Sequence, residues 1–298
     1  MKKVAVIGGS GFLGSYVCDG LWDRGFTVHI LDLNPSSYLK EGMRFHNCDI
    51  MNAPHLLELF EEHQFEGVFN FAGLADLDTA FQEPVQAMEL NVLGNLHVLE
   101  ACRKTKVQKL IYASSAYANS SRGSFYGISK LTSEKLVEEY FHRYSLPFTI
   151  LRYGSVYGER AKAPNGIYCL LKEAHETGKI LHKGDGEEVR EYIHARDAAK
   201  LSVDALESSE HENSHLILTG VERLKYKDLL SMISEILNDS IKIEYEDCDT
   251  HGHYKITPYS FRPQTAMKLA ANPFIDMGQG LVDCLRAIQE DEKSGSQS

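Results

Sequence analysis

Short apolar runs and longer amphipathic stretches alternate along the first half of the chain. The runs fall at 3–7, 27–31, 67–71, 108–113 and 148–152, and 43–48 reads as a further strand. Each is too short for a stable helix and rich in residues that suit a strand. Between them, apolar positions recur every three or four residues, as on one face of a helix, over 54–63, 84–104 and 124–144. Strand alternating with helix predicts an α/β fold with a doubly wound parallel sheet. Beyond residue 152 the rhythm changes. Residues 158–166 are polar and turn-rich, a helix follows to about 177, and Gly184-Asp185-Gly186 reads as a hairpin tip. A strand over 214–218 is expected to rejoin the sheet, followed by a helix over 226–238, a strand over 241–245 and a last helix over 278–287. Residues 1–158, with returning segments from about 187–220, thus form the main domain, and 159–288 form a smaller C-terminal part. Residues 289–298 are charged and rich in Ser and Gly, so a disordered tail is expected.

The first thirty-two residues carry the most specific pattern. A strand ends at Ile7, Gly8-Gly9-Ser10-Gly11-Phe12-Leu13-Gly14 follows, and then come a helix-like stretch, a second strand and Asp32. Gly8 allows a sharp turn off the strand, Gly11 a close approach of backbone to a pyrophosphate, and Gly14 close packing of helix on sheet. The helix start offers unpaired N–H groups to phosphate charge. Asp32 is placed to accept hydrogen bonds from a ribose 2′-hydroxyl, and no arginine follows it to welcome a 2′-phosphate. The expected cofactor is therefore a dinucleotide, NAD rather than NADP.

Composition narrows the rest. With 298 residues and 43% hydrophobic content, the chain has enough apolar side chains for a large core. A net charge of −11 argues against nucleic acid as the main partner. No apolar run is long enough to span a bilayer, and residues 1–3 lead straight into the first strand, so neither a membrane partner nor a signal peptide is expected. Six scattered cysteines without a C-x-x-C pair suit buried free thiols in a reducing cytoplasm. The close pair His251-Gly-His253 reads as loop, and no metal site is expected.

Ser114-Ser115 end the fifth strand, on the side of the sheet where ligands bind. Tyr126 and Lys130 follow at helical i, i+4 spacing and so share a face. An ammonium beside a phenol favours the phenolate, and a nearby serine hydroxyl can hydrogen-bond the same substrate oxygen. Such a set takes a proton from an alcohol while its carbon gives up hydride.

Together, Gly8-x-x-Gly11-x-x-Gly14, Ser115 and Tyr126-x-x-x-Lys130 resemble the extended short-chain dehydrogenase/reductase family, the NAD-dependent epimerase/dehydratase group. Asp49-Ile50, Asn91-Val-x-Gly94, 151–158 and Arg190 to His194 followed by Asp197 extend the likeness to about residue 205, and 70–75 is similar to UDP-galactose 4-epimerases. The resemblance implies a Rossmann-type cofactor domain in which Phe12, Leu13, Asp32, Asp49, Ile50, Phe71, Ala72, Gly73 and Asn91 line NAD. It places Tyr153 near the nicotinamide end, Lys130 on the nicotinamide ribose, and Tyr126 and Ser115 on the substrate. Asn165, Arg190 and Arg262 resemble the residues that hold a nucleotide diphosphate. It further implies a UDP-hexose substrate, C4 epimerisation, and a homodimer through the helices over 84–104 and 124–144.

Alternatives remain within and outside that group. A dehydratase, decarboxylase or reductase would use the same base, and a non-catalytic NAD-binding regulator would keep only the fold. Ala116 and Tyr117 follow Ser115, where 4,6-dehydratases place Asp-Glu, so an elimination would need a carboxylate such as Glu159 or Glu191 from the other half.

Overall fold

The computed structural model describes residues 2–120, 122–246 and 267–295. Six strands build the first part: β1 (Lys3–Ile7), β2 (Thr27–Asp32), β3 (Arg44–Asn47), β4 (Gly67–Asn70), β5 (Lys109–Ser115) and β6 (Phe148–Tyr153). The helices among them are α1 (Phe12–Asp23), α2 (Ala53–His63), α3 (Leu77–Gln82), α4 (Pro84–Met88), α5 (Gly94–Thr105) and α6 (Ser124–Tyr144). The second part holds β7 (Ser155–Tyr157), α7 (Gly166–Thr177), β8 (Lys179–Lys183), β9 (Val189–Arg190), β10 (Tyr192–His194), α8 (Ala195–Glu207) and β11 (Ser214–Leu218). It ends with β12 (Leu224–Lys225), α9 (Tyr226–Ile236), β13 (Lys242–Glu246), β14 (Met267–Leu269) and α10 (Met277–Gly295).

The main sheet has eight strands in the order β14-β11-β6-β5-β4-β1-β2-β3, every pair parallel. Alternation along each strand sends side chains to two cores. From β1, Val4 and Val6 pack with α1 and α8, while Ala5 and Ile7 pack with α2 and α5. Covered on both faces, the strands need apolar residues at nearly every position, which is why they read as unbroken runs. A third core, around Leu171, Ile180, Leu229 and Leu281, belongs to the second part and joins α7, α9 and α10.

Several elements differ from expectation. The 84–104 segment is not one α-helix: α4 and α5 are joined by a π-helical turn, Glu89–Leu93, that carries Asn91. The strands flanking Gly184-Asp185-Gly186 are not a hairpin, since β8 pairs in parallel with β13 and β9 pairs antiparallel with β12. Helix α8 had no counterpart in the sequence reading. Its buried face combines small residues, Ala195, Ala198, Ala199, Ser202 and Ala205, with Leu201 and Val203, and packs closely on α1. The expected disordered tail is helical as far as Gly295. Among the described residues no helix is long and apolar enough to cross a membrane.

A buried ion pair ties α6 to the sheet. Glu134, fully buried, accepts from Arg152 Nε at 2.9 Å and Nη2 at 2.6 Å, and from the Ser114 hydroxyl at 2.5 Å. Removing one member of such a pair strands the other charge in the core. Arg152→Met is expected to cost about 3–5 kcal/mol in urea unfolding. A loss no larger than that of an ordinary surface substitution would show that Glu134 is held by its other partners.

Candidate active site

The glycine turn is built as its spacing demands. Gly8 has φ +77°, and a Cβ there would lie 2.8 Å from the Ala72 nitrogen. A Cβ on Gly14 would lie 2.3 Å from the Gly8 carbonyl oxygen, so α1 reaches its contact with the turn only without a side chain. Helix α1 begins after Gly11 with no side-chain cap, leaving its first N–H groups for an outside acceptor. Asp32 closes β2 beside the turn and accepts from the Ser10 N–H at 3.0 Å, which fixes the carboxylate at the rim. Phe12 and Leu13 are partly buried against the core behind the turn. These features fit a dinucleotide: a cradle a Cβ would fill, an uncapped helix start and a positioned acid.

The other residues expected around the cofactor fall into two sets. Asp49 is exposed, with one carboxylate oxygen accepting from the Met51 N–H at 2.8 Å, and Phe71, Ala72 and Gly73 follow β4 across from the turn. Ile50 and Asn91 also make contacts within the protein. Ile50 is buried and meets Gly94 of α5, where a Cβ would lie 2.5 Å from its side chain. The Asn91 amide accepts from the Leu74 N–H at 2.7 Å and donates to the Leu74 carbonyl at 3.0 Å and the Ser129 hydroxyl at 2.8 Å. Its side chain pins the 73–74 loop to α6.

Ser115, Tyr126, Tyr153, Asn165 and Arg190 all line one cleft of about 780 Å³ between the two parts of the chain. That size suits a nucleotide-sized ligand. Ser115 accepts from the Tyr117 N–H at 3.2 Å, which leaves its own hydroxyl proton to donate. Tyr126 sits at the start of α6 with Tyr117 edge-on to its ring, centroids 6.3 Å apart. Lys130, one turn along, is buried beneath it: Nζ donates to the Ala113 carbonyl at 2.9 Å and lies 5.9 Å from the Tyr126 ring centre. Burial pushes the Lys130 ammonium down from its ordinary 10.5 to about 8, and Glu134 opposes that only in part. Among the described residues no carboxylate lies within ion-pair distance of Lys130, because Glu134 is taken by Arg152. Its Nζ also lies 5.3 Å over the Tyr112 ring, so the ammonium is held between two tyrosines beneath the cleft.

Two of these residues also hold the protein's own structure. The Tyr153 hydroxyl is 2.7 Å from the Ser202 hydroxyl of α8, so its ring lines the cleft while its polar end is held in the core. Asn165 caps α7, accepting from the Tyr168 N–H at 3.2 Å and donating to the Val156 carbonyl at 2.9 Å. Arg262, Cys248 and the His251/His253 pair lie outside the described residues. Of the other five cysteines all are free thiols and four are buried, but Cys169 is exposed on the cleft wall, contrary to the expectation of burial. The sequence reading missed Glu134, although it stands four residues beyond Lys130 on the same helical face. It also missed His182, which stacks on Tyr226 at 4.2 Å and faces Glu188 at 3.3 Å in the far wall. Nothing in local spacing announces that group.

Residues 4–218 match the family described as the NAD dependent epimerase/dehydratase family. The chain belongs to it. NAD is the cofactor of this family, and the glycine turn with Asp32 is where this chain would hold it. A Methanocaldococcus jannaschii protein provisionally named as a UDP-glucose 4-epimerase is 30% identical over 68% of this chain and 73% of its own. The UDP-N-acetyl-alpha-D-glucosaminuronate decarboxylase of Bacillus cytotoxicus is 26% identical, over 98% of this chain and 99% of its own. The solved UDP-glucose 4-epimerase of Thermotoga maritima shares the fold with a TM-score of 0.85 and 23% identity, over 97% of this chain and 99% of that one.

Lys130 makes stability depend on pH. Between about pH 8 and 10.5 the unfolded chain holds the Lys130 proton and the folded chain has lost it. Stability from this group therefore rises with pH across that window. In cofactor-free protein, unfolding free energies of wild type and Lys130→Met should shift in favour of wild type as pH rises through it. Parallel curves would mean that the ammonium is not desolvated.

Proposed function

We propose that the protein is a nucleotide-sugar epimerase that inverts C4 of a UDP-linked hexose. One observation carries the reading: Ser115 and Tyr126 stand together on the wall of a nucleotide-sized cleft, with the Lys130 ammonium buried behind the phenol. Tyr126 takes the proton from the C4 hydroxyl, helped by the Lys130 charge. Ser115 donates to the same oxygen and holds it in line. Bound NAD supplies the hydride acceptor and donor at the sugar carbon. Tyr126 then returns the proton once the 4-keto sugar has presented its other face. Arg190, in the opposite wall, offers a guanidinium fork to a diphosphate.

The relatives perform other reactions as well, so the choice among them rests on acids near the sugar. Loss of water across C5 and C6 needs both a base and an acid there. Neither Glu159 nor Glu191 lines the cleft: Glu159 is held by Tyr16, His194 and Arg196, and Glu191 is buried with Arg223 at 3.4 Å. The carboxylates that do line it are Asp78, Glu173 and Glu188. Glu173 accepts from the Leu181 N–H at 3.1 Å, and Glu188 faces His182. Among the described residues that leaves Asp78 as the one acid of the wall not engaged in this way, which favours simple return of hydride. A regulator without catalysis would have no use for a desolvated lysine behind a cleft-facing phenol.

A homodimer fits the same reading. Phe81, Val85, Ile128 and Leu131, on α3, α4 and α6, are exposed at 66%, 70%, 53% and 39%. A monomer would leave this apolar face in water, whereas a second copy would cover it. Light scattering is expected to give twice the chain mass, and Val85→Glu with Ile128→Glu should give monomers. A wild-type monomer ends this part of the proposal.

A panel of nucleotide sugars with NAD tests the reaction. A UDP-hexose should return with its mass unchanged and its C4 configuration inverted. Tyr126→Phe should stay folded and lose at least about a hundredfold in turnover. A product lighter by one water, with a 4-keto-6-deoxy signature by NMR, would make the protein a dehydratase.

A further inference from the structure

Far from the cleft, three histidines meet under the β3 edge of the sheet. His29 is the third residue of β2, His46 the third of β3, and His63 the last of α2. One ligating atom from each lies within 4.8 Å of the other two. The His29 and His46 rings are stacked, 3° from parallel with centres 5.1 Å apart, and His29 Nδ1 is 2.9 Å from His46 Nε2. The His63 ring centre lies 4.8 Å from that of His29 and 4.5 Å from that of His46. His29 is fully buried, and its other ring nitrogen, Nε2, has no hydrogen-bond partner. Apolar side chains would fill the same space at lower cost.

We propose that His29, His46 and His63 form a binding site for a divalent transition metal, zinc by preference, that fastens β2, β3 and α2 together. Three imidazoles with an open fourth position suit zinc and related ions, and exclude magnesium and calcium, which demand oxygen ligands. The spacing is close to what the ion needs. Two nitrogens each about 2.0–2.1 Å from a tetrahedral zinc stand about 3.3–3.4 Å apart, a few tenths of an ångström more than the present His29–His46 contact. The ring that donates in that contact moves its proton to its other nitrogen, so that both nitrogens face the ion as lone pairs. Burial, then the nearby His46 and His63, push His29 down to about 3, so it stays in the neutral, ligating form. Lys3 and Arg44 also face the group and weaken its hold on a cation. Glu62, 3.8 Å from His63 Nε2, offsets them in part and could complete the coordination. His46 and His63 are only half-buried, which leaves the ion a way in from solvent.

The test uses full-length, untagged protein stripped with a chelator and titrated with zinc chloride by calorimetry, with cobalt chloride as a visible-absorption probe. One zinc per chain is expected, with a rise in melting temperature. His46→Gln and His63→Gln, both on partly exposed side chains, should each weaken binding by at least about tenfold. Both should keep the wild-type circular dichroism spectrum and turnover, because the cluster is no part of the cleft. Wild type that takes up no zinc and melts at the same temperature with it would overturn the proposal. So would equal uptake by both variants, or uptake lost only in His251→Gln/His253→Gln.

Discussion

A buried lysine without a carboxylate partner sets the terms for the rest of this structure. Lys130 sits under Tyr126 with a carbonyl as its hydrogen-bond acceptor, and its desolvation is not relieved by an ion pair. The obvious candidate, Glu134, is one helical turn away but is clamped by Arg152 from β6 and Ser114 from β5. A free Glu134 would neutralise the ammonium and dull its effect on the phenol. The core therefore holds two charged groups of α6 in one row with opposite treatments, one paired and one left under tension. That arrangement costs stability, and it is the kind of cost found at catalytic centres.

The same logic explains why the supporting residues are spread over so many elements. Asn91, in the π-helical turn before α5, ties the loop after β4 to Ser129 of α6. Ser202 of α8 holds the Tyr153 hydroxyl, and Asn165 caps α7 with its amide while tying it to Val156. Each of these polar side chains is spent on backbone or on another side chain. They fix the backbone around the cleft, whose wall Ser115, Tyr126 and Arg190 line. The family spans epimerases and dehydratases, as is expected where chemistry depends on a few groups added to a common fold.

The legibility of the fold follows from its physics. Parallel strands covered on both faces are apolar nearly throughout, so β1, β2, β4, β5 and β6 stand out as runs, whereas the edge strand β3, Arg44–Asn47, does not. The glycine turn is legible because steric limits at Gly8 and Gly14 admit no other residue without a shift of the backbone. Helix α8 carries the same kind of signal, since Ala198, Leu201, Ser202 and Ala205 recur at helical spacing on its buried face, but it was not read from the sequence. The pairing of β8 with β13 and of β9 with β12 is also hidden, because strand partners in the second part are chosen by long-range packing and not by the turn between them.

By itself the sequence determined the cofactor turn, the acid at Asp32 and the Ser115, Tyr126 and Lys130 set, because each depends on local backbone geometry or on helical spacing. The tertiary structure alone decided that Glu134 is withheld from Lys130, since Arg152 comes from another strand. It alone decided that Glu159 and Glu191 stand outside the cleft. It also brought His29, His46 and His63 together from three elements, although each looks like an isolated residue in the chain. The physical reason is common to all three. Charge pairing, cleft lining and ligand clustering are set by distances through space, and parallel crossovers place residues far apart in sequence side by side.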